Sequence, residues 1–203
     1  MNYLSLRTIR ESPTNTLYNK LKDNYEDSIE YEIIEGCKLE KSEYQEKLYK
    51  HFYGYAFSIS RLNTYSREEA VDVMNDSFIK VFSNIHRFDL KQSFKAWIRR
   101  IIINTAIDNY RKNKKHYFLL DVVEVDPPEV NESVISKLTA EDILKLLDQL
   151  PKPHRLVFNL YEIQGFNHKE IAEKLNIKIS SSRTFLTRAK NKLRILLNEN
   201  FKN

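Results

Sequence analysis

The sequence predicts an all-α protein: two small helical domains joined by an acidic flexible linker, the C-terminal one a helix-turn-helix. Three observations carry that expectation. Only three glycines occur in 203 residues, and the turn dipeptides between alternating apolar residues that mark hairpins are nearly absent. Apolar residues recur instead at helical spacing through most of the chain. An acidic stretch with adjacent prolines separates two basic helical blocks.

Residues 1–33 form an N-terminal extension without an assigned role, expected as a leader; "DNYEDSIEYEIIEG" within the first 40 residues reads either as a short helix or as disorder. From Glu43, Leu48, Phe52, Tyr55, Ile59 and Leu62 mark one helix, and Ala70, Val73, Met74, Ser77, Phe78, Val81 and Phe82 a second. Ser66 is placed to cap the second, with Glu68 and Glu69 in its first turn. A loop over Ser83–Ser93 leads to a third helix opening "SFKAWIRRIIINTAIDNYRK". Asp121–Ser133 lacks helical periodicity and reads as an extended tether. Thr139 can cap "AEDILKLLDQL", Pro151 and Pro153 break the chain, and "RLVFNLYEIQG" makes a helix that ends at Gly165.

The net charge of +5 conceals strong segregation. Residues 91–116 carry eight Lys and Arg against one acid, residues 117–150 two against eight, and residues 151–203 eleven against four. Two polyanion-facing surfaces flanking an acidic segment follow from that pattern. The single cysteine, Cys37, excludes an intrachain disulfide. No apolar run approaches the ~18 residues of a membrane span, and the N-terminal residues lack a signal-peptide core, so a cytoplasmic protein without membrane insertion is expected. The five histidines (His51, His86, His116, His154 and His168) are scattered, with no metal-ligand spacing or Gly-Lys phosphate loop. No enzymatic activity, cofactor or metal is expected.

On the third helix, at ~100° per residue, Trp97, Arg100, Asn104, Asp108 and Arg111 share an arc of roughly 80°, beside an apolar arc of Phe94, Ile98, Ile101, Ile102 and Thr105. A stripe of indole, guanidinium and amide suits nucleic acid, through phosphate pairing, stacking and base-edge contacts. The same pattern also fits a core helix with a solvated charged face, Asp108 pairing with Arg111 or Lys112. In "NHKEIAEKLNIKISSSRTFLTRAKNKL", Ile171, Ala172 and Leu175 point inward, Asn176 takes the left-handed position of a turn, and Ile177 fills the space between two helices. The second helix presents Ser180, Ser181, Arg183, Thr184, Thr187, Arg188 and Lys190, and residues 178–194 carry six cations and no carboxylate. Short hydroxyls and arginines at the start of such a helix fit entry into a major groove.

The stretch "EEAVDVMNDSFIKVFSNIHRFDLKQSFKAWIRRIIINTAIDNYRK" resembles the second conserved region of bacterial RNA polymerase sigma factors of the extracytoplasmic-function (ECF) group. "LPKPHRLVFNLYEIQGFNHKEIAEKLNIKISSSRTFLTRAKNKL" is similar to their fourth region. The resemblance divides the chain into region 2 at 34–116, the linker at 117–138 and region 4 at 139–203. It implies a factor that binds core RNA polymerase, directs it to promoters and melts the minus-ten element. Asp72, Asn75, Asp76 and Phe78 would dock on the polymerase β′ clamp, and region 4 would meet the β flap. Phe88, Trp97, Arg100, Asn104, Arg111 and Lys112 would hold the opened minus-ten DNA. Lys178, Ser181, Arg183, Thr184 and Arg188 would read the minus-thirty-five duplex. Further implied partners are an anti-sigma factor and an additional DNA-targeting or regulatory protein, and the linker would thread toward the RNA exit path. Asn75 and Asp76 stand where Gln and Glu are usual, Asn176 replaces Gly, and Ser182 replaces a frequent Val. Phe185, in a place often basic or amide, packs inward or meets a thymine methyl. A stand-alone helix-turn-helix regulator is the competing reading.

Overall fold

A computed structural model describes residues 29–113 and 139–201, with side chains described up to residue 199; the acidic linker and most of the N-terminal extension lie outside these residues. Among the described residues every regular element is helical. The acidic stretch, left open by its sequence, is helical over 29–38 (α1), followed by α2 (Ser42–Asn63), α3 (Arg67–Asn84), a 3₁₀ turn at Ile85–Arg87 and α4 (Phe94–Asn113). The C-terminal half comprises α5 (Ala140–Asp148), α6 (Lys152–Phe158) continued by a π turn at Asn159–Ile163, α7 (His168–Leu175) and α8 (Ile179–Phe201).

The predicted caps are in place. Ser66 Oγ accepts the Glu69 N–H at 3.1 Å, and Thr139 with Asp142 forms a reciprocal capping box at the start of α5. Gly165 has φ +77°, a left-handed backbone that stops the helical run without steric cost. Pro153 does not break the chain: it sits in the first turn of α6, where its missing N–H is not needed.

Leu48, Phe52, Ala56 and Ile59 of α2 pack against Val73, Met74, Phe78 and Val81 of α3 and Phe94, Ile98 and Ile102 of α4. α1 closes this bundle with Ile33, Ile34 and Cys37. Gly36 is required there, because a Cβ at that position would lie 2.1 Å from Cγ of Tyr44. Tyr44 is itself held through its hydroxyl by Glu32 at 3.1 Å. Gly36→Ala is therefore expected to destabilise the chain by about 1–3 kcal/mol, the usual cost of overpacking, read as a lower urea midpoint; an unchanged midpoint would show that the Tyr44 ring moves aside freely.

The two halves share one core. Besides the apolar arc expected from its sequence, α4 buries a second face, Ile103, Ala106, Ile107 and Tyr110. Ala106 and Tyr110 border a cavity of about 20 Å³ together with Lys152, Arg155 and Leu156 of the C-terminal half. Across the same seam Arg99 Nε donates to Gln164 Oε1 at 2.9 Å, and Arg111 Nη2 donates to the Glu173 carbonyl at 2.9 Å.

The polar centre of this seam is the C-terminal end of α2, where the last carbonyls of a helix lack partners within it. Thr64 Oγ1 donates to the Ser60 carbonyl at 2.8 Å. Arg155, 2% exposed, donates from Nη2 to the Arg61 carbonyl at 2.6 Å and from Nε to that of Leu62 at 3.3 Å. Asn159 Nδ2 also donates to the Leu62 carbonyl. Asp148 receives both Arg61 and Arg155, balancing the buried charge. Burial alone pushes the Asp148 carboxyl upward, but the hydrogen bonds from Arg61 and Arg155 hold it net below its ordinary value.

Candidate nucleic-acid interface

α4 presents its polar stripe outward as the sequence periodicity requires. Arg100, Asn104, Asp108, Arg111 and Lys112 are exposed, and Trp97 is half-buried. The end of α3 and the following turn lie beside this face, so Lys80, Asn84 and Arg87 join Trp97, Ile101 and Asn104 around a cleft of about 320 Å³. Lys80, Asn84 and Arg87 were not singled out from sequence; the cations in and before the Ser83–Ser93 loop were the available signal. Asp108 pairs with Lys80 of α3 at 3.2 Å, not with Arg111 or Lys112, because the helix pair brings Lys80 across the groove.

Phe88 lies inside the bundle and not on the surface of the loop. It is 4% exposed, edge-on to Phe94 at 5.3 Å and tilted against Trp97 at 5.1 Å. Its ring serves as a floor that fixes Trp97, since burying an aromatic in a three-ring cluster is worth more than exposing it on a loop. Phe78 is buried as well. It is 2% exposed and packs on Tyr49 at 4.6 Å, so it anchors α3 and offers no surface.

Asp72, Asn75 and Asp76 are exposed on one side of α3. Tyr49 of α2 donates from its hydroxyl to Asn75 Oδ1 at 3.1 Å, fixing that amide. Ile79, 63% exposed, falls on the same side, an apolar point among acids that the sequence pattern did not flag. Such a mixed face is suited to a protein surface rather than to phosphate, which the carboxylates would repel.

In the C-terminal half, Asn167 Oδ1 accepts the N–H groups of Lys169 and Glu170, and Glu170 Oε2 accepts the Asn167 N–H at 2.7 Å. α7 ends at Asn176, whose φ of 50° and ψ of 55° are left-handed as expected. The Ile177 N–H then closes on the Ala172 carbonyl at 3.0 Å, and Ile177 packs against the core. Ile171 and Leu175 of α7 and Leu186 of α8 lie in that core, and Ala189 is buried nearby.

This framework leaves Lys178, Arg183 and Thr184 exposed, Ser181 and Arg188 half-buried, and Ser182 buried. Phe185 is half-buried and turns toward the core, its ring 5.1 Å from that of buried His154. Burial, and then the nearby Arg188 charge, push His154 down to about 4. Among the described residues no group of three potential metal ligands occurs, and no helix is long and apolar enough to cross a membrane.

Comparison with known proteins places names on these two halves. Residues 43–116 match the family model "Sigma-70 region 2", and residues 140–193 match "Sigma-70, region 4". RNA polymerase sigma factor YlaC of Bacillus subtilis is 30% identical over 158 residues, covering 73% of this chain and 89% of that protein. The ECF RNA polymerase sigma factor SigW of the same organism is 30% identical over 138 residues, 62% of this chain and 74% of SigW. RNA polymerase sigma factor SigZ, also from B. subtilis, is 31% identical over 126 residues, 62% of this chain and 71% of SigZ. With both regions present in order on an all-helical frame, the chain belongs to the ECF RNA polymerase sigma factors, proteins of promoter-specific transcription initiation.

Proposed function

We propose that this sigma factor binds core RNA polymerase through region 2, captures an unpaired base of the minus-ten element on α4, and reads the minus-thirty-five duplex with α8. The observation that carries the reading is the cleft of Lys80, Asn84, Arg87, Trp97, Ile101 and Asn104. It offers an indole wall for stacking, amides for base edges and cations for the flanking phosphates. Extruding a base costs a few kcal/mol, which binding in such a cleft offsets, so strand opening needs no nucleotide hydrolysis and no catalytic group.

In this reading residues 34–116 act as region 2 and 139–203 as region 4, with 117–138 as the acidic tether. Asp72, Asn75, Asp76 and Ile79 meet the β′ clamp, while region 4 meets the β flap. Arg100 and Lys112 hold backbone phosphates, joined by Arg111 once it leaves the Glu173 carbonyl. Lys178, Ser181, Arg183, Thr184 and Arg188 face the upstream duplex. An anti-sigma factor is the regulatory partner expected of the group, and a further DNA-targeting protein is compatible with the residues outside the two regions.

Reconstitution with core polymerase and run-off transcription on a genomic fragment library tests this reading. Factor-dependent transcripts with aligned start sites are expected, and failure to bind core polymerase would favour the stand-alone regulator. Asn104→Ala should cut transcripts by about tenfold, the worth of a good base contact, with core binding unchanged; equal loss of core binding would move the base site elsewhere. Arg183→Ala should weaken upstream duplex binding and lower the slope of log affinity against log salt by about one. An unaltered slope would remove Arg183 from the phosphate contacts. Arg188 is a poorer probe, because its charge also bears on buried His154.

A further inference from the structure

The reading helix carries a buried hydroxyl that its apolar packing does not require. Ser182, in the first turn of α8, is fully buried, and its Oγ lies 3.0 Å from Nδ1 of His168. His168 opens α7 directly after the Asn167 cap, and its ring stacks on Tyr161 with centroids 4.6 Å apart. Ser182 is flanked by Ser181 and by exposed Arg183 and Thr184. Because successive residues are rotated by ~100° about a helix, whatever fixes the inward side of this turn also fixes which way those three point. The apolar contacts of Leu186 in the shared core resist separation of α7 and α8, but packing of that kind is non-directional and leaves a small roll open. A directional hydrogen bond does not.

We propose that His168 is a positioning residue for promoter recognition, whose hydrogen bond to Ser182 sets the roll of α8 and so aims Ser181, Arg183 and Thr184 at the upstream base pairs. The inference rests on the duplex-reading role of α8 proposed above. The surroundings suit the task. Burial, followed by the charges of Arg183 and Lys190, holds His168 below its ordinary pKa, which favours the neutral imidazole. A serine hydroxyl both donates and accepts, so it complements whichever tautomer Nδ1 adopts. Stacking on Tyr161 holds the face of the ring, and the capping box at Asn167 fixes the backbone from which it projects.

The test uses the full-length chain assembled with core polymerase and two duplexes: an upstream element selected by the unmodified holoenzyme from a random library, and its scrambled counterpart. For Ser182→Ala, which removes the hydroxyl with little change in volume, and for His168→Ala, the ratio of the two affinities should fall about tenfold while scrambled binding stays constant. His168→Asn, which can present an amide near the Nδ1 position, should recover most of the ratio. A merely structural role would lower both affinities together by depleting folded protein, and that parallel loss overturns the proposal. So does an unchanged ratio in Ser182→Ala. If the unmodified holoenzyme selects no upstream sequence, the duplex-reading role itself fails and the positioning role falls with it. A clear selection that the variants leave untouched overturns the positioning role alone.

Discussion

Arg155→Ala is expected to destabilise the chain by about 3–5 kcal/mol, the cost of breaking a buried ion pair by removing one partner. The side chain is almost fully enclosed and serves three groups at once. It caps the Arg61 and Leu62 carbonyls at the end of α2 and pairs with Asp148. Without it the Arg61 carbonyl loses its side-chain donor, the Leu62 carbonyl keeps only Asn159, and Asp148 retains only Arg61. The negative end of the α2 macrodipole also loses one of its two cations, keeping Arg61. Urea unfolding followed by Trp97 fluorescence, which reports the N-terminal half, and by helical circular dichroism, which reports the whole chain, gives the readout. The unmodified chain should show coincident transitions, and Arg155→Ala should separate them as the halves lose their seam. Coincident, unshifted transitions in the variant would mean that the apolar part of the seam suffices by itself.

The second large effect is a pH dependence seated at His154. Its pKa is about 4 in the fold against an ordinary 6.5, because burial excludes the charged form and Arg188 adds repulsion. Between those values the unfolded chain binds a proton that the folded chain refuses, so stability rises with pH across the window. The contribution is complete above about pH 6.5 and is lost as pH falls toward 4. Between pH 7 and pH 5 the loss amounts to roughly 2 kcal/mol. Asp148, held below its ordinary value, adds an acid-side loss only at lower pH, which keeps the two effects apart. His154→Leu, which suits the ring's apolar neighbour Phe185, should flatten the dependence between pH 5 and 7. An equally steep profile in that variant would assign the proton uptake to another group.

The physics of single helices was open to reading in the chain itself. Ser66, Thr139 and Asn167 cap because a short polar side chain before an amphipathic run can reach only its own first N–H groups. Asn176 and Gly165 turn because few residues tolerate a left-handed backbone. The polar stripe on α4 follows from a rotation of ~100° per residue, and its exposed members stand where that rotation puts them. Charge segregation marked both basic blocks before any coordinate was needed.

Contacts between elements were beyond that reach. Phe78 and Phe88 carry no local sign distinguishing a core ring from a docking ring, and only the positions of Tyr49, Phe94 and Trp97 decide that both are buried. The second buried face of α4 is apolar in sequence but has no assignable partner until the C-terminal half folds against it. Arg155 reads as one more surface cation, because the carbonyls it caps lie more than ninety residues away. Sequence determined each helix, its ends and its charged face, since those depend on neighbours within a few residues. Tertiary structure alone decided which rings, cations and hydroxyls became interior, because burial depends on what arrives from elsewhere in the chain.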